Sequence, residues 1–570
     1  MDSVAALDWF SFGLYLLILI VISIWAYLKT KSSADYFMGN RQFGTVLMIA
    51  QAFGIGTNIN QPVAVTGAAY SNGLSGIWYQ WLWLFITPFF WIIAPIYRRL
   101  RYITMADFFK ERYGAKLGLY YTFFGILYFC INIGVLLKGA GLTFEIIFQG
   151  AIREDIFIFI APIVFMLIGL LGGLIGTVIS DLLQGIFLMF FTLLLVIIGI
   201  RNTGGFSELH EILPESMFNI VAPDEITFYF IIMVVINGLI GIVALPHHMA
   251  IGGAGKSENA CRIGWTFGNL FKRFASMGWA FIGIIVAVRY SRLVGVEREQ
   301  AFGLAVRIFL PAGLVGLFTA VLMAATMSTF NGFMIHSSAL ITQNIYRDYF
   351  RPAANEREML LVGRLSSIVT VLAGVSFACF LGSVIDGIVQ IWKLMAYIGL
   401  AFWFGILWKR TNRYGVWSST LVMIFLSLFS EFYLNWTLPN QIVLYLAAGI
   451  VTIYLVSRMT RPEPAELLQK FYTLLHTPVG QESELERLGI EIKLKGVSDK
   501  QVPANKCHWL VRLLRLNEYP SDGLVLVELP EFFRKFSWSR YRTDILGFTS
   551  AVIIVAAMVL GMLILSYIGA

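Results

Sequence analysis

Charge is scarce in this chain. Asp, Glu, Lys and Arg make up 13% of its 570 residues, about half the share of a soluble domain. Residues 42–97 contain no charge at all. Cysteine is nearly absent as well. Cys130, Cys261, Cys379 and Cys507 are scattered, which excludes a disulfide framework and a cysteine metal centre. His247, His248 and His336 have no metal-ligand spacing either. An intramembrane enzyme would need a nucleophile–base or metal constellation, and a channel a repeated filter or rings of charge; the sequence offers neither. What remains is apolar, with 58% hydrophobic and 15% aromatic residues and a mean hydropathy of +0.75. This is the composition of an all-α polytopic membrane protein whose spans form one helical bundle. The net charge of +8 fits basic cytoplasmic loops, so no nucleic acid is needed to explain it.

Apolar runs predict about fourteen transmembrane helices. The first covers 9–28, between Asp2 and Asp8 on one side and Lys29 and Lys31 on the other. It is too long for a signal-peptide core and lacks a small-residue cleavage site, so it reads as a retained span. Further runs include 117–148, 156–174, 178–200, 227–245, 274–290, 310–342, 365–381 and 384–408. Two more, 416–434 and 442–456, precede a polar, mixed-charge segment over 458–542, and a last span covers 545–568. Basic residues gather in alternate loops, among them Arg98, Arg99, Arg101, Lys272, Arg273, Lys409 and Arg410. The positive-inside rule places those loops, and the 458–542 segment, in the cytoplasm, with both termini outside.

One span is badly made for a helix. Within the charge-free run stands Phe53-Gly-Ile-Gly-Thr-Asn-Ile-Asn-Gln-Pro62. Gly54 and Gly56 weaken a helix, and Pro62 has no N–H. Asn58, Asn60 and Gln61 are polar groups that lipid cannot satisfy. Non-helical backbone at membrane depth survives only where protein buries it or where it lines a wet cavity. Two readings stand: a Pro-kinked helix with a polar packing face, or a broken helix that binds a cation and a substrate. The pair Ser328-Thr329 is equally double-edged. Two adjacent hydroxyls one turn after Ala325 are hard oxygen ligands of the kind a small cation needs. Such hydroxyls in membrane helices also bond back to their own carbonyls.

Other pieces carry a family likeness. Asp35-Tyr-Phe-Met-Gly-Asn-Arg41 precedes the break, and Gly67-Ala-Ala-Tyr-Ser-Asn-Gly-Leu74 follows it. Then come Thr104-Met-Ala-Asp-Phe-Phe-Lys-Glu-Arg-Tyr-Gly114, Gly172-Gly-Leu174 with Asp181 and Gln184, and Ser338-Ala-Leu-Ile-Thr342 before Asn344-Ile-Tyr-Arg347. Leu407-Trp-Lys-Arg-Thr-Asn412 with Gly415 closes the set. Over roughly residues 33–418 the chain resembles the sodium:solute symporter family. The resemblance implies a five-plus-five inverted repeat of the leucine-transporter type, in which the second span is the broken helix. It divides the chain into an extra first helix with its loop (1–43), a transport core (44–410), two additional helices (411–457), the cytoplasmic segment (458–542) and a last helix (543–570).

The same resemblance implies the cargo and the site. Sodium and a small polar solute (a sugar, an amino acid or a carboxylate) would be imported together by alternating access across the cell membrane. A transporter-fold sensor, or a facilitator without sodium coupling, is the alternative. Sodium would be held by the carbonyls of Gly54, Thr57 and Ala325 and the hydroxyls of Ser328 and Thr329. Asn58, Gln61 and Gln80 would face the solute; Gln61 matches a substrate-facing Gln of sugar-transporting members, and Gln80 stands where such a member has an acid. Asp181 matches a family Asp on the ion path, with a structural salt bridge as its alternative role. The chain also departs from the pattern. Asn331 and Gly332 stand where some members have hydroxyls for a second sodium, and Ala244-Leu-Pro246 replaces Gly-Gln-Pro. Lys393, an intramembrane cation unusual for the family, would meet a substrate carboxylate or pair with an acid such as Asp386. Lipid and the two cargoes are the expected partners, and the monomer the expected unit.

Overall fold

In the computed structural model, residues 5–29, 43–55, 57–222, 225–290, 293–490 and 523–570 are described, without the side chains of 22, 23, 25–29, 168, 170–179 and 296. The motif at 35–41, Gly56 and Cys507 lie outside them. The described chain is helical throughout, with a lone bridge between Phe43 and Gly255. Among the described residues nine helices are long and apolar enough to cross a membrane, and Ala6–Val21, Thr45–Gly54 and Phe228–Ile242 are shorter apolar helices.

The core is built around a helix buried on every side. After α1 (Ala6–Lys29) the first repeat opens with α2 (Thr45–Gly54) and α3 (Asn60–Asn72). Between these two the backbone is not helical at 55 and 57–59. The break is tighter than its Gly and Pro content suggests, because Gly54 still ends α2 and Pro62 lies in the first turn of α3. There a proline's missing N–H costs nothing. Asn58 closes the turn, its Oδ1 accepting the Asn60 N–H at 3.0 Å. Gly73 ends α3 with φ +67°, and a Cβ there would run into the Met217 backbone.

The run after Gly73 is less regular than a single span: a short 3-10 turn and a turn of helix lead through irregular backbone to α4 (Phe89–Leu100). Next come α5 (Met105–Tyr113), closed by a Thr104–Asp107 capping box, and α6 (Ala115–Ile147). The spans expected over 156–174 and 178–200 are helical without interruption, as α7 (Glu154–Asn202). Straight, such a helix would be about 74 Å long. Its contacts with the later helix α12 (Leu314–Ile341) show that it bends back on itself. Phe191 stacks on Phe318 and Asp181 meets Ser328, yet Gly169 lies against Asn331 and Phe165 against Phe330.

The second repeat opens with another break, which the sequence reading missed. The span expected over 227–245 ends early, as α8 (Phe228–Ile242), and helix resumes as α9 (His248–Ala254). The carbonyls freed between them accept from distant hydroxyls: Tyr97 donates to Val243, and Tyr121 to Ala244.

The helix α10 (Glu258–Arg289) corrects the expectation that a cytoplasmic loop runs to Arg273. The Ser257 side chain caps its start, accepting the Ala260 N–H at 3.2 Å. Lys272 therefore lies about 21 Å along a helix, and both Lys272 and Arg273 are buried. After a short α11 (Ala301–Phe309) comes α12, which is buried almost without interruption. An all-round apolar helix is the expected centre of a bundle. α13 (Glu356–Phe380) and α14 (Val384–Leu407) complete the repeat, followed by α15 (Arg413–Phe432) and α16 (Leu438–Met459).

The polar segment is docked rather than loose where it is described. Its amphipathic helix α17 (Ala465–His476) and the turn after it lie on the end of α4. There Arg101 donates to Glu482 and to the Thr477 and Pro478 carbonyls, and Arg99 pairs with Glu258 at 2.9 Å. The last helix, α18 (Trp538–Tyr567), is tied to α10 by a fully buried ion pair between Arg262 and Asp544.

Candidate functional site

The end of α2 is where the bundle concentrates polar atoms. Gly54 sits so close to Asp181 of α7 that a Cβ on it would fall 2.1 Å from the Asp181 Cγ. Only glycine permits that approach. Ser328 donates to one carboxylate oxygen of Asp181, and the Thr329 Oγ1 lies 3.4 Å from the Gly54 carbonyl. The second oxygen of Asp181 is buried with no hydrogen-bond partner, as are the Gln184 Nε2 and the Gln51 side-chain amide. Lys272 donates to the Ile55 carbonyl at 2.6 Å, the first of the break. Asp181, Ser328, Thr329 and Lys272 are each no more than 5% exposed. Buried carboxylate, hydroxyl and carbonyl oxygens with an unsatisfied atom among them form the donor set a hard cation requires.

Beside this cluster, a cavity of about 150 Å³ runs along the break. Asn58, Gln61 and Gln80 all border it, together with His247 of the second break and His248, which opens α9. Both α10 cations reach it too, and the Arg273 Nη1 donates to the Gln80 Oε1 at 2.5 Å. The two breaks thus face one chamber, one contributing amide side chains and the other imidazoles.

The structure therefore brings Gly54, Ser328, Thr329 and Asp181 to one spot, and Asn58, Gln61 and Gln80 to an adjoining one. Thr57 lies in the break with its hydroxyl donating back to the Phe53 carbonyl, and Ala325 is buried on α12 one turn before Ser328. Lys393 is elsewhere. Its ammonium pairs with Glu431 of α15 at 3.1 Å, neither Asp386 nor the cavity being its partner. Trp83 borders the cavity, whereas Trp78 and Trp81 are core residues that donate to the Ile220 and Arg273 carbonyls. The sequence reading missed Gln51, Lys272 and Arg273 as members of the site. The Ser257 cap was the available signal, since a helix starting there carries the basic pair to membrane depth.

Two discontinuous helices facing each other across a mid-bundle chamber define a membrane transporter of the leucine-transporter type, not an enzyme. Comparison with known proteins agrees. The sequence profile of the Sodium:solute symporter family matches residues 36–422, and the chain belongs to that family. The osmoregulated proline transporter OpuE of Bacillus subtilis (strain 168) is 26% identical over 445 residues, spanning 72% of this chain and 86% of that protein. The sodium/glucose cotransporter of Vibrio parahaemolyticus is 23% identical over 506 residues, spanning 80% and 90%. Among solved structures, a Na+-coupled sialic acid symporter in a substrate-bound outward-open state superposes with a TM-score of 0.71 at 17% identity, covering 80% of this chain and 98% of that one. Mhp1, a nucleobase-cation-symport-1 family transporter, superposes with a TM-score of 0.56 at 15% identity, covering 78% and 99%.

Proposed function

We propose that the chain imports a small polar organic solute together with sodium, by alternating access. The observation that carries this reading is the meeting of Gly54, Ser328, Thr329 and Asp181 at the broken end of α2. Sodium, as cargo, sits among the carbonyls of Gly54, Thr57 and Ala325 and the hydroxyls of Ser328 and Thr329, with Asp181 supplying negative charge beside them. An ion there ties α2 to α12, so its arrival and departure act on the relative position of the two repeats. The solute occupies the adjoining cavity against Asn58, Gln61 and Gln80. Because the break separates the two cargoes by about a turn of helix, each stabilises the geometry that the other needs.

The driving force is adequate. A membrane potential of about 100 mV contributes ~2.3 kcal/mol per charge, and a tenfold sodium gradient another ~1.4 kcal/mol. One sodium can then hold a gradient of roughly 500-fold for an uncharged solute, and of about tenfold for a monoanion, whose own charge cancels the contribution of the potential. The basic end of the bundle, with the 458–542 segment, faces the cytoplasm in this reading, and the monomer is the working unit.

The test is solute accumulation in proteoliposomes of the purified chain. Accumulation above the outside concentration, driven by an imposed sodium gradient and abolished when potassium replaces sodium, is the expected result. Equilibration without accumulation identifies a facilitator. Binding without any flux identifies a sensor.

A further inference from the structure

The cavity beside the first break is walled by two buried cations. Lys272 and Arg273 are each 5% exposed, and among the described residues neither Asp nor Glu borders the space. Lys272 has the charge of Asp181 nearby. Arg273 has no such counter-ion among the described residues: its Nη1 meets the neutral Gln80 amide, and its Nε has no partner. Several other buried cations of the bundle pair with an acid: Arg262 has Asp544, Arg99 has Glu258, Arg101 has Glu482 and Lys393 has Glu431. Arg112 donates to the carbonyls of Gly405, Trp408 and Lys409, and Arg98 to that of Gly255; the Arg112 Nη1 also lacks a partner, but it is Arg273 that borders the cavity. An unpaired guanidinium at this depth is strongly unfavourable, and such groups mark where a counter-ion binds.

We propose that Arg273 receives the carboxylate of the transported solute, and that this solute is a small organic acid with an apolar or aromatic body. The proposal rests on the reading of this cavity as the solute site. Guanidinium is the cation suited to a carboxylate, which it can grip through two parallel hydrogen bonds. With Gln80 holding Nη1, the edge of the fork formed by Nε and Nη2 is left to donate. The body of the solute is set by the rest of the wall, where Tyr79, Trp83, Tyr128, Phe333, Ile391 and Met395 present rings and hydrocarbon. Among the described residues no acid borders the cavity, while the Asn60 and Gln61 side-chain oxygens are buried beside it without a partner and are free to accept from a donor on that body. An acid in this site also favours sodium: it offsets the Arg273 charge, so the two cargoes load cooperatively.

Melting of the purified full-length chain is followed against acetate, pyruvate, benzoate and nicotinate, each beside its neutral amide, in sodium and in potassium. L-proline and glucose complete the set. We expect at least one acid to raise the melting temperature in sodium, its amide and glucose not to, and Arg273→Gln to weaken that acid by about 30-fold or more. Arg273→Lys, which keeps the charge but loses the fork, should weaken it less, so that a loss in the Gln variant is not mere misfolding. The proposal is overturned if no acid binds, if an amide or glucose binds as well as the acids, if Arg273→Gln keeps its affinity, or if the Lys variant loses as much as the Gln variant. Acid binding that is equal in potassium and sodium would instead sink the sodium reading and leave this one standing.

Discussion

At the scale of single residues, the ion-side cluster makes the most exposed claims. Ser328→Ala or Thr329→Ala removes one oxygen and leaves the backbone carbonyls in place. Each should weaken sodium by about 1–2 kcal/mol, or about 5- to 30-fold in half-saturation. Solute affinity should recover at saturating sodium, because linkage transmits the loss only through the ion. A sodium titration of solute binding at constant ionic strength measures both; unchanged half-saturation in both variants places the ion elsewhere. Gly54→Ala should do more damage than either, although it removes no ligand. Its Cβ claims the space of the Asp181 carboxyl, and overpacking of this kind costs about 1–3 kcal/mol. The same titration reads it, and a wild-type curve would show that Asp181 is free to move aside. Asp181→Asn should insert normally and lose sodium-driven uptake; full uptake in that variant would leave the carboxylate a structural group.

At the scale of elements, the two breaks differ in how visible they were. The first announces itself because Gly54, Gly56, Asn58, Asn60 and Pro62 are residues that a lipid-facing helix avoids. The second, over 243–247, is mostly apolar, with Pro246 its main local sign. What stabilises it is remote: Tyr97 and Tyr121 come from other helices, 146 and 123 residues away in sequence. No local pattern encodes such partners. The basic pair Lys272-Arg273 was misread for a related reason. Cations are the usual mark of a cytoplasmic loop, and their depth here follows from a helix start fourteen residues earlier. The second break yields its own expectation. Tyr97→Phe and Tyr121→Phe each strand a buried carbonyl, a cost of about 1–3 kcal/mol. Hydrogen exchange should rise at the amides of 243–245 and 247 in either variant and stay unchanged at 55–59. Equal change at both breaks would mean that the bundle had loosened as a whole.

At the scale of the whole molecule, the transport core was legible from motif order, and the attachment of the C-terminal parts was not. The polar segment carries no motif, yet its described residues satisfy Arg99 and Arg101 at the end of α4, and α18 brings Asp544 to Arg262. Breaking such a buried pair from one side costs about 3–5 kcal/mol. Asp544→Ala should therefore lower the melting temperature more than any substitution in the cavity, while leaving sodium half-saturation near its wild-type value. A melting temperature unchanged by Asp544→Ala would make the pair incidental to stability. The same ion pair also has a bearing on how the molecule is made. Arg262 and Asp544 are 282 residues apart, and ribosomes add about 5–20 residues per second. For about 15–60 s of synthesis α10 must wait in the membrane without its carboxylate, so quality control has a long window in which to act. A nascent chain stopped short of Asp544 should be an efficient substrate for degradation even though its entire transport core has been translated.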